Sequence, residues 1–287
     1  MGCKMKVVYY LPDLDNPFWR NVAAGMRNRA DAEKIQLEVV NCRGETSAQA
    51  TQIQDYRQRG ADAVFVSPVE MQGLAAACKA IKSGGIPILS IDQNLNPNVT
   101  ASVMSGNIKG GILAASYIAE RLGPGKRVVQ VGAQKNLPNV ELRTMSFVDE
   151  IREKGLVIAK RIQGDSDSAV AASVMSAFLR EKVSFDAVFA ENDYMALGVI
   201  QALKAAGYWP LPVVGYDGIP EALEAIRKGD LSATIAQNPT GLGETAVEVL
   251  LKITRGERFD SLTTILPRLV TMSDIRRLES NGDGKPE

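Results

Sequence analysis

The chain has 287 residues, 45% of them hydrophobic and 23% charged, which is enough apolar material for one large or two medium domains. Its 33 basic and 33 acidic side chains cancel, so the composition offers no basic face and argues against nucleic acid as the main partner. Histidine is absent, which excludes Ser-His-Asp and Cys-His catalysis and the common zinc sites of hydrolases.

Short apolar runs alternate with longer segments of helical period along the whole chain. This alternation predicts βαβ units and parallel sheet, and the runs are apolar on both faces, as strands covered on both sides are. The predicted strands are residues 5–11, 36–41, 63–67, 87–91, 127–132, 156–161, 186–190, 212–216, 232–236 and 268–271. The predicted helices are residues 17–33, 46–59, 70–83, 107–122, 140–154, 168–181, 193–207, 219–228 and 239–254.

Two similar series of strand and helix units suggest a duplication. The first opens at 4–8, and the second opens at 125–129, just after the breaker Leu-Gly-Pro-Gly at 122–125. Ten strands are many for one doubly wound sheet and suit two lobes. The last residues, 280–287, are rich in Gly, Pro and charge, so we predict a disordered tail.

Three cysteines give neither a disulfide framework nor metal-ligand spacing, and we expect Cys42 and Cys78 to be buried thiols. Cys3 leaves open a lipid anchor, although Met1 and Gly2 in front of it weaken that idea. No run reaches the ~18 apolar residues of a membrane span, and the start lacks the apolar segment of a signal peptide. Either the protein is cytoplasmic, or a signal peptide has been removed and Met1 is not native.

Five strand-like runs are followed closely by a carboxamide or a carboxylate. Ligands of open parallel α/β sheets bind at the carboxyl ends of strands, and such groups with few cations suit a neutral polyhydroxy ligand. A cap or a turn also explains most of them individually, but Gln has little capping preference. The five residues are Asn16, Asp92, Asn192, Asp217 and Gln237.

Two adjacent aromatic residues, Phe18 and Trp19, stand at the start of the first predicted helix. Neighbouring residues on a helix point about 100° apart, so at least one ring should face away from the core. A flat aromatic face of this kind can stack on the C–H face of a sugar ring.

Motifs for nucleotides and metals fail on position or spacing. The segment 123–126 resembles a phosphate loop only briefly, because it precedes a strand and lacks the first Gly. The segment 165–167 lacks the Gly and the distal Glu of a calcium loop and is better explained as a helix N-cap. We expect no cofactor, no metal and no enzymatic activity.

The chain resembles the ribose-type family of bacterial periplasmic sugar-binding proteins, which has the type 1 periplasmic-binding fold and shares its core with the lactose-repressor family. The resemblance covers about residues 5 to 275. It rests on five segments that occur in the same order and with the same spacing as in the family, namely 16–19, 86–92, 187–198, 213–218 and 233–237.

The resemblance implies an α/β fold with two doubly wound parallel-sheet lobes, joined by a three-strand hinge that closes on a sugar in the cleft between them. The N-terminal lobe would comprise 4–106 and 239–266, and the C-terminal lobe 107–238 and 267–279. It also implies a monomer in the periplasm or outside the cell. Its partner would be the membrane permease of an ABC transporter, or a chemoreceptor.

The resemblance further implies which residues contact the sugar. Asn16, Asp92, Arg143, Asn192, Asp217 and Gln237 match hydrogen-bonding positions, and Phe18 and Trp19 match the aromatic wall. Only the resemblance makes Arg143 a candidate for ligand contact, because the sequence alone favours a solvent-exposed helix residue at this position.

Two positions depart from the ribose pattern, because Gln93 stands where the ribose binder has Arg and Ser166 where it has an aromatic residue. These departures argue against ribose and favour a larger or differently hydroxylated sugar, or a polyol. Asp13, Asp15 and Ser67 are further candidates for ligand contact, together with Ser166 itself.

Three other functions stay open at this point. One is the effector core of a lactose-repressor-type regulator, which needs a DNA-binding headpiece upstream. Another is the sensor domain of a membrane receptor. The third is an enzyme that acts on sugars through carboxylates such as Asp92 and Asp217.

Overall fold

The computed structural model describes residues 5–71 and 73–280, which form two compact units. The first unit comprises the described residues up to Ser105 together with Pro239–Ile265. The second comprises Gly106–Asn238 and the described residues from Leu266 to Ser280. Cys3 and, apart from Ser280, the tail for which we predict disorder lie outside the described residues.

The first unit is built on a six-stranded parallel sheet. Its strands are β1 (Lys6–Leu11), β2 (Gln36–Asn41), β3 (Ala63–Val66), β4 (Ile88–Ile91), β5 (Ala101–Ser105) and β11 (Leu262–Ile265), in the order β11-β5-β4-β3-β1-β2. Its helices are α1 (Pro17–Ala32), α2 (Thr46–Gln52) with a following 3₁₀ helix (Ile53–Arg57), α3 (Leu74–Ser83) and α9 (Pro239–Thr254).

The second unit repeats this plan with one antiparallel strand. Its strands are β6 (Arg127–Gly132), β7 (Val157–Gln163), β8 (Ala187–Ala190), β9 (Val213–Asp217), β10 (Ala233–Ala236) and β12 (Arg268–Thr271), in the order β12-β10-β9-β8-β6-β7. Only the β10–β12 pairing is antiparallel. Its helices are α4 (Asn107–Leu122), α5 (Pro138–Glu153), α6 (Ser168–Leu179), α7 (Asp193–Ala205), α8 (Pro220–Arg227) and α10 (Met272–Ser280).

The central strands of each sheet are buried on both faces, as the continuous apolar runs predict. Val7–Leu11 of β1 and Ala187–Ala190 of β8 are buried without interruption. Helices α1 and α9 pack so closely that a Cβ on Gly25 would collide with the backbone of Thr240. In the second unit, Phe147 of α5 stacks on Phe189 of β8 with ring centroids 4.1 Å apart.

The predicted alternation of strands and helices is confirmed, with five local corrections. The prediction missed β5, β11 and α10, took the segment 46–59 as one helix, and started α3 at residue 70 instead of Leu74. β5 was missed because the serines in its sequence, Ala-Ser-Val-Met-Ser, are typical of a loop. In the structure Ser102 can be buried because its Oγ forms a hydrogen bond of 2.7 Å with the Oγ of Ser90. The expected purely parallel sheets are wrong only at β12.

The described cysteines, Cys42 and Cys78, are buried free thiols, as expected. Burial raises the pKa of Cys42 to about 11 and that of Cys78 to about 12, so both thiols stay protonated at neutral pH. Among the described helices, none is both long enough and apolar enough to cross a membrane.

Candidate functional site

Asn16 ends the loop after β1 and caps α1, with Pro17 at the first helical position as predicted. Its Oδ1 accepts a hydrogen bond of 2.9 Å from the Phe18 backbone N–H. Its Nδ2 makes no hydrogen bond to the rest of the described chain. The cap therefore fixes the amide so that it presents a donor.

The two aromatic residues of this segment lie in different surroundings. Phe18 is 4% exposed, whereas Trp19 is partly exposed. Their ring centroids lie 4.8 Å apart with the planes at 83°, an edge-to-face pair that holds the indole in place. Trp19 is thus the ring that can offer a face to a ligand.

Asp92 and Gln93 follow β4 directly, and both are buried, at 5% and 3% exposure. Asp92 has a φ of 65°, in the left-handed region, where Asp and Asn are the commonest residues after Gly. Burying a carboxylate costs free energy unless it is hydrogen-bonded. Two consecutive buried polar side chains at a strand end are typical of a binding site more than of a core.

The further candidates of the first unit have structural partners. Ser67 is fully buried after β3, where its Oγ lies 2.8 Å from the Tyr9 hydroxyl. Asp13 Oδ1 accepts from the Asp15 backbone N–H at 3.1 Å, and Asp15 itself is exposed. The Ser67 contact thus joins the end of β3 to β1, and the Asp13 contact holds the loop after β1 in shape.

In the second unit, three of the strand-end residues come from adjacent strands. Asn192 caps α7, with Oδ1 accepting from Met195 N–H at 2.7 Å, and its Nδ2 bonds to no described residue. Asp217 is the last residue of β9, and Gln237 follows β10. Gln237 Nε2 donates to Asp217 Oδ1 at 2.6 Å, while the buried Gln237 Oε1 has no partner within the described residues.

Arg143 lies in the second turn of α5 and is only 4% exposed, so the solvated position that the sequence alone would favour is wrong. Its Nε and Nη2 donate to Asn107 Oδ1 at 3.2 and 2.8 Å, and its Nη1 donates to the Glu191 backbone carbonyl. The guanidinium carbon lies 3.5 Å from the centroid of the Tyr216 ring. A buried cation is thereby held by neutral acceptors and a π face.

Asp193 supports the loops that carry this group. It is fully buried, and its Oδ2 accepts from the backbone N–H groups of Gly218 and Ile219 at 2.7 and 3.0 Å. Its Oδ1 accepts from Thr234 Oγ1 at 2.7 Å. Burial raises the pKa of this carboxyl to about 6, against the opposing effect of the hydrogen bonds.

The structure thus brings Asn192, Asp217, Gln237 and Arg143 to the carboxyl edge of one sheet. Ser166, in the loop after β7, does not bond to them; its Oγ accepts from the Gln134 N–H at 3.0 Å. In the first unit, Asn16 and Asp92 follow β1 and β4, with β3 between these strands.

Sequence reasoning missed Asn107, Tyr216 and the supporting role of Asp193. A weak signal existed for two of them, because Tyr216 and Asp193 stand next to the predicted site residues Asp217 and Asn192. Asn107 carried no such signal, since its contact with Arg143 joins α4 to α5.

The described side chains form no group of three or more metal-ligating residues. The sequence model of the protein family named "Periplasmic binding protein domain" matches residues 7–258 of the chain. The chain belongs to this periplasmic binding protein family.

Relatives agree with that family in sequence and in fold. The ribose import binding protein of Bacillus subtilis is 31% identical over 246 residues, which are 85% of this chain and 80% of the relative. An ABC transporter solute binding protein of Bacillus halodurans, solved with bound myo-inositol, is 26% identical with a TM-score of 0.89, over 96% of this chain and 98% of that one. The Caulobacter myo-inositol binding protein, bound to myo-inositol, is also 26% identical at a TM-score of 0.89, over 99% and 98%.

These comparisons confirm the predicted family and the predicted α/β fold of two lobes. They also confirm the prediction of a solute-binding protein instead of an enzyme, because the matched proteins are named as binding proteins.

Proposed function

We propose that this protein binds a monosaccharide or a related polyol of pentose or hexose size, and delivers it to an ABC-type membrane transporter. The observation that carries the proposal is the buried Asp217–Gln237 pair at the carboxyl edge of the second sheet. Buried polar groups with remaining hydrogen-bonding capacity need a polar ligand.

The amide groups that we propose for the site offer a hydroxyl group both hydrogen-bond donors and a hydrogen-bond acceptor. Asn16 and Asn192 use their Oδ1 atoms as helix caps, so their Nδ2 groups donate. Gln237 uses its Nε2 on Asp217, so its Oε1 accepts. A sugar hydroxyl both donates and accepts, and it can satisfy both kinds of group at once.

The charged groups add strength to such contacts. Asp92 and Asp217 accept from hydroxyls as carboxylates, and charge-assisted hydrogen bonds are about twice as strong as neutral ones. Arg143 has five N–H donors and uses three of them on Asn107 and Glu191, so two are left for a ligand oxygen. Trp19 offers its ring to the C–H face of the same ligand.

The choice among sugars and polyols rests on Gln93 and Ser166. A buried amide at Gln93 brings no positive charge, and the Ser166 hydroxyl provides no aromatic wall. Two relatives at 26% identity were solved with myo-inositol, and the 31% identical relative is named for ribose. We therefore propose a ligand with a hydroxyl pattern unlike that of ribose, with cyclic polyols included.

The remaining parts of the proposal come from the family. Binding by residues of both units at once, with hinge closure, would make the closed form the state that a permease or a chemoreceptor recognises. Such a protein works as a monomer in the periplasm or outside the cell.

Titration calorimetry and thermal unfolding with D-ribose, D-allose, xylitol and myo-inositol test the proposal. A ligand in excess raises the melting temperature, because it stabilises the fold by RT ln(1 + [L]/Kd). We expect a one-to-one isotherm with at least one compound, nearly abolished in Asp217→Ala and unchanged in Asp230→Ala, a matched change at a surface residue paired with Lys204. Full affinity in Asp217→Ala would place the site elsewhere, and no binding of any compound would reject the ligand class.

A further inference from the structure

A cavity of about 550 Å³ lies in the second unit, between the N-terminal half of α5 and the carboxyl ends of β6 and β7. Its volume falls within the roughly 300–1,000 Å³ of small-molecule sites. None of the residues that we propose for the sugar lines it. The cavity is therefore separate from the proposed sugar contacts.

Two buried polar side chains line this cavity, Gln130 of β6 at 2% exposure and Glu191 after β8 at 1%. Gln130 Nε2 donates to Glu191 Oε1 at 2.6 Å, and Thr144 Oγ1 donates to the same oxygen. The Ala133 backbone N–H donates to Glu191 Oε2 at 2.8 Å. The carboxylate is fixed from three sides.

The polar atoms of Gln130 and Glu191 that can still form hydrogen bonds are acceptors. Gln130 Oε1 is buried and has no partner within the described residues. Glu191 forms no salt bridge in the part of the chain that the structure describes, and a carboxylate has about four lone-pair sites, of which three are used. A buried carboxylate without a cation favours a positively charged partner.

The other lining residues suit an organic body attached to such a cation. Val140, Met145 and Ile162 provide an apolar wall. Lys135 and Arg161 also line the cavity, but both are exposed, where solvent and salt screen their charges. They do not neutralise Glu191.

We propose that this cavity binds a small organic ammonium ion. Its N–H groups donate to Glu191 and to Gln130 Oε1, and its carbon skeleton packs against Val140, Met145 and Ile162. The cavity and the proposed sugar site have no lining residue in common, although Arg143 donates to the backbone carbonyl of Glu191.

Benzylamine is a suitable probe, and the methyl group of Met145 is a suitable reporter because its side chain is 62% exposed and lines the cavity. In protein labelled with ¹³C-methyl methionine, Met145→Leu assigns the signal. We expect saturable shifts of the Met145 methyl, with the buried Met26 and Met175 unchanged. Benzyl alcohol should bind at least about tenfold more weakly and benzoate not at all.

Glu191→Gln keeps the shape of the side chain and removes its charge, and we expect it to weaken benzylamine at least about tenfold. The comparison of benzylamine with benzyl alcohol tests the same charge dependence in the unaltered protein, whatever the stability of this variant. The proposal fails if the Met145 signal does not saturate with benzylamine, or if benzyl alcohol binds equally well. It also fails if a folded Glu191→Gln variant keeps full affinity for the amine. Sugar titrations by calorimetry report on the other site, so either proposal can fail alone.

Discussion

Gln237 Nε2 lies 2.6 Å from Asp217 Oδ1, so the side chains at the ends of β10 and β9 form one hydrogen-bonded pair. The pair fixes the orientation of a buried amide that can otherwise flip, because only its N–H₂ group can face a carboxylate. Gln237 Oε1 is thereby presented as an acceptor. This contact therefore decides which end of the Gln237 amide faces the proposed site.

Gln237→Met should weaken sugar or polyol binding by about 1–3 kcal/mol, which is roughly 5- to 150-fold in Kd. The thioether keeps a similar shape but provides neither the donor to Asp217 nor the acceptor to the ligand. Calorimetry with the best compound of the panel measures the change. The control is Gln54→Met, which alters an exposed amide in the 3₁₀ helix. Equal affinities of the two variants would show that the pair does not serve binding.

The backbone at Asp217 stores strain that a matched pair of substitutions can reveal. Its φ is 126°, a conformation that Gly adopts freely and other residues rarely do. Asp217→Gly and Asp217→Ala both remove the carboxylate, so both should lose ligand binding. The Gly variant should be more stable than the Ala variant by about 1 kcal/mol or more, because Ala keeps the Cβ. Urea unfolding of the two variants measures the difference, and equal midpoints and slopes would refute the strain.

The strands and most of the helices could be predicted because a parallel sheet covered on both faces leaves continuous apolar runs in the sequence. β5 left no such run, since Ser102 and Ser105 are polar residues in a buried strand. Ser102 is satisfied by Ser90 of the neighbouring strand β4, a contact that the local sequence of β5 does not reveal. β12 looked like the other strands, because its antiparallel direction is not encoded in its apolar pattern.

The residues of the candidate site also divide into those that the sequence could predict and those that it could not. Asn16, Asp92, Asn192 and Asp217 were visible because each follows a strand, and Gln237 stood out because no cap or turn explains it. The partners of Arg143 were not visible, since Asn107 and Tyr216 meet it only through the packing of α4 and α5 on the sheet. Contacts between distant elements leave no local pattern.

Asn107 provides a test of how Arg143 is held. Asn107→Ala removes the acceptor of two of its hydrogen bonds and should destabilise the fold by about 1–3 kcal/mol. It should also weaken the ligand through the displaced guanidinium. Asn107→Asp restores an acceptor and a charge partner, so it should recover binding. Chemical unfolding measures the stability of the three proteins, and calorimetry measures their affinity for the ligand. If Asn107→Asp bound the ligand no better than Asn107→Ala, the role of the acceptor would be refuted.

Asp193 makes the stability of the fold depend on pH in an unusual direction. Burial raises the pKa of this carboxyl to about 6 in the folded protein, from an ordinary value of about 3.8. Between these two values the folded state holds the proton more tightly than the unfolded state. The contribution of Asp193 to stability is therefore fully present below about pH 4 and is lost as the pH rises to about 6, by an amount on the order of 3 kcal/mol.

Asp193→Asn cannot ionise, so subtracting its unfolding free energy from that of the parent protein isolates this group from the other carboxylates. We expect the parent to lose stability relative to the variant as the pH rises from about 4 to 6, and to change no further above that range. Asp186→Asn is a control of opposite sign. The Arg127 backbone N–H and Lys126 hold the pKa of Asp186 below its usual value, so its contribution is lost as the pH falls. Parallel pH profiles of the parent and Asp193→Asn would show that Asp193 is ionised in the folded protein throughout, and that its three hydrogen bonds outweigh its burial.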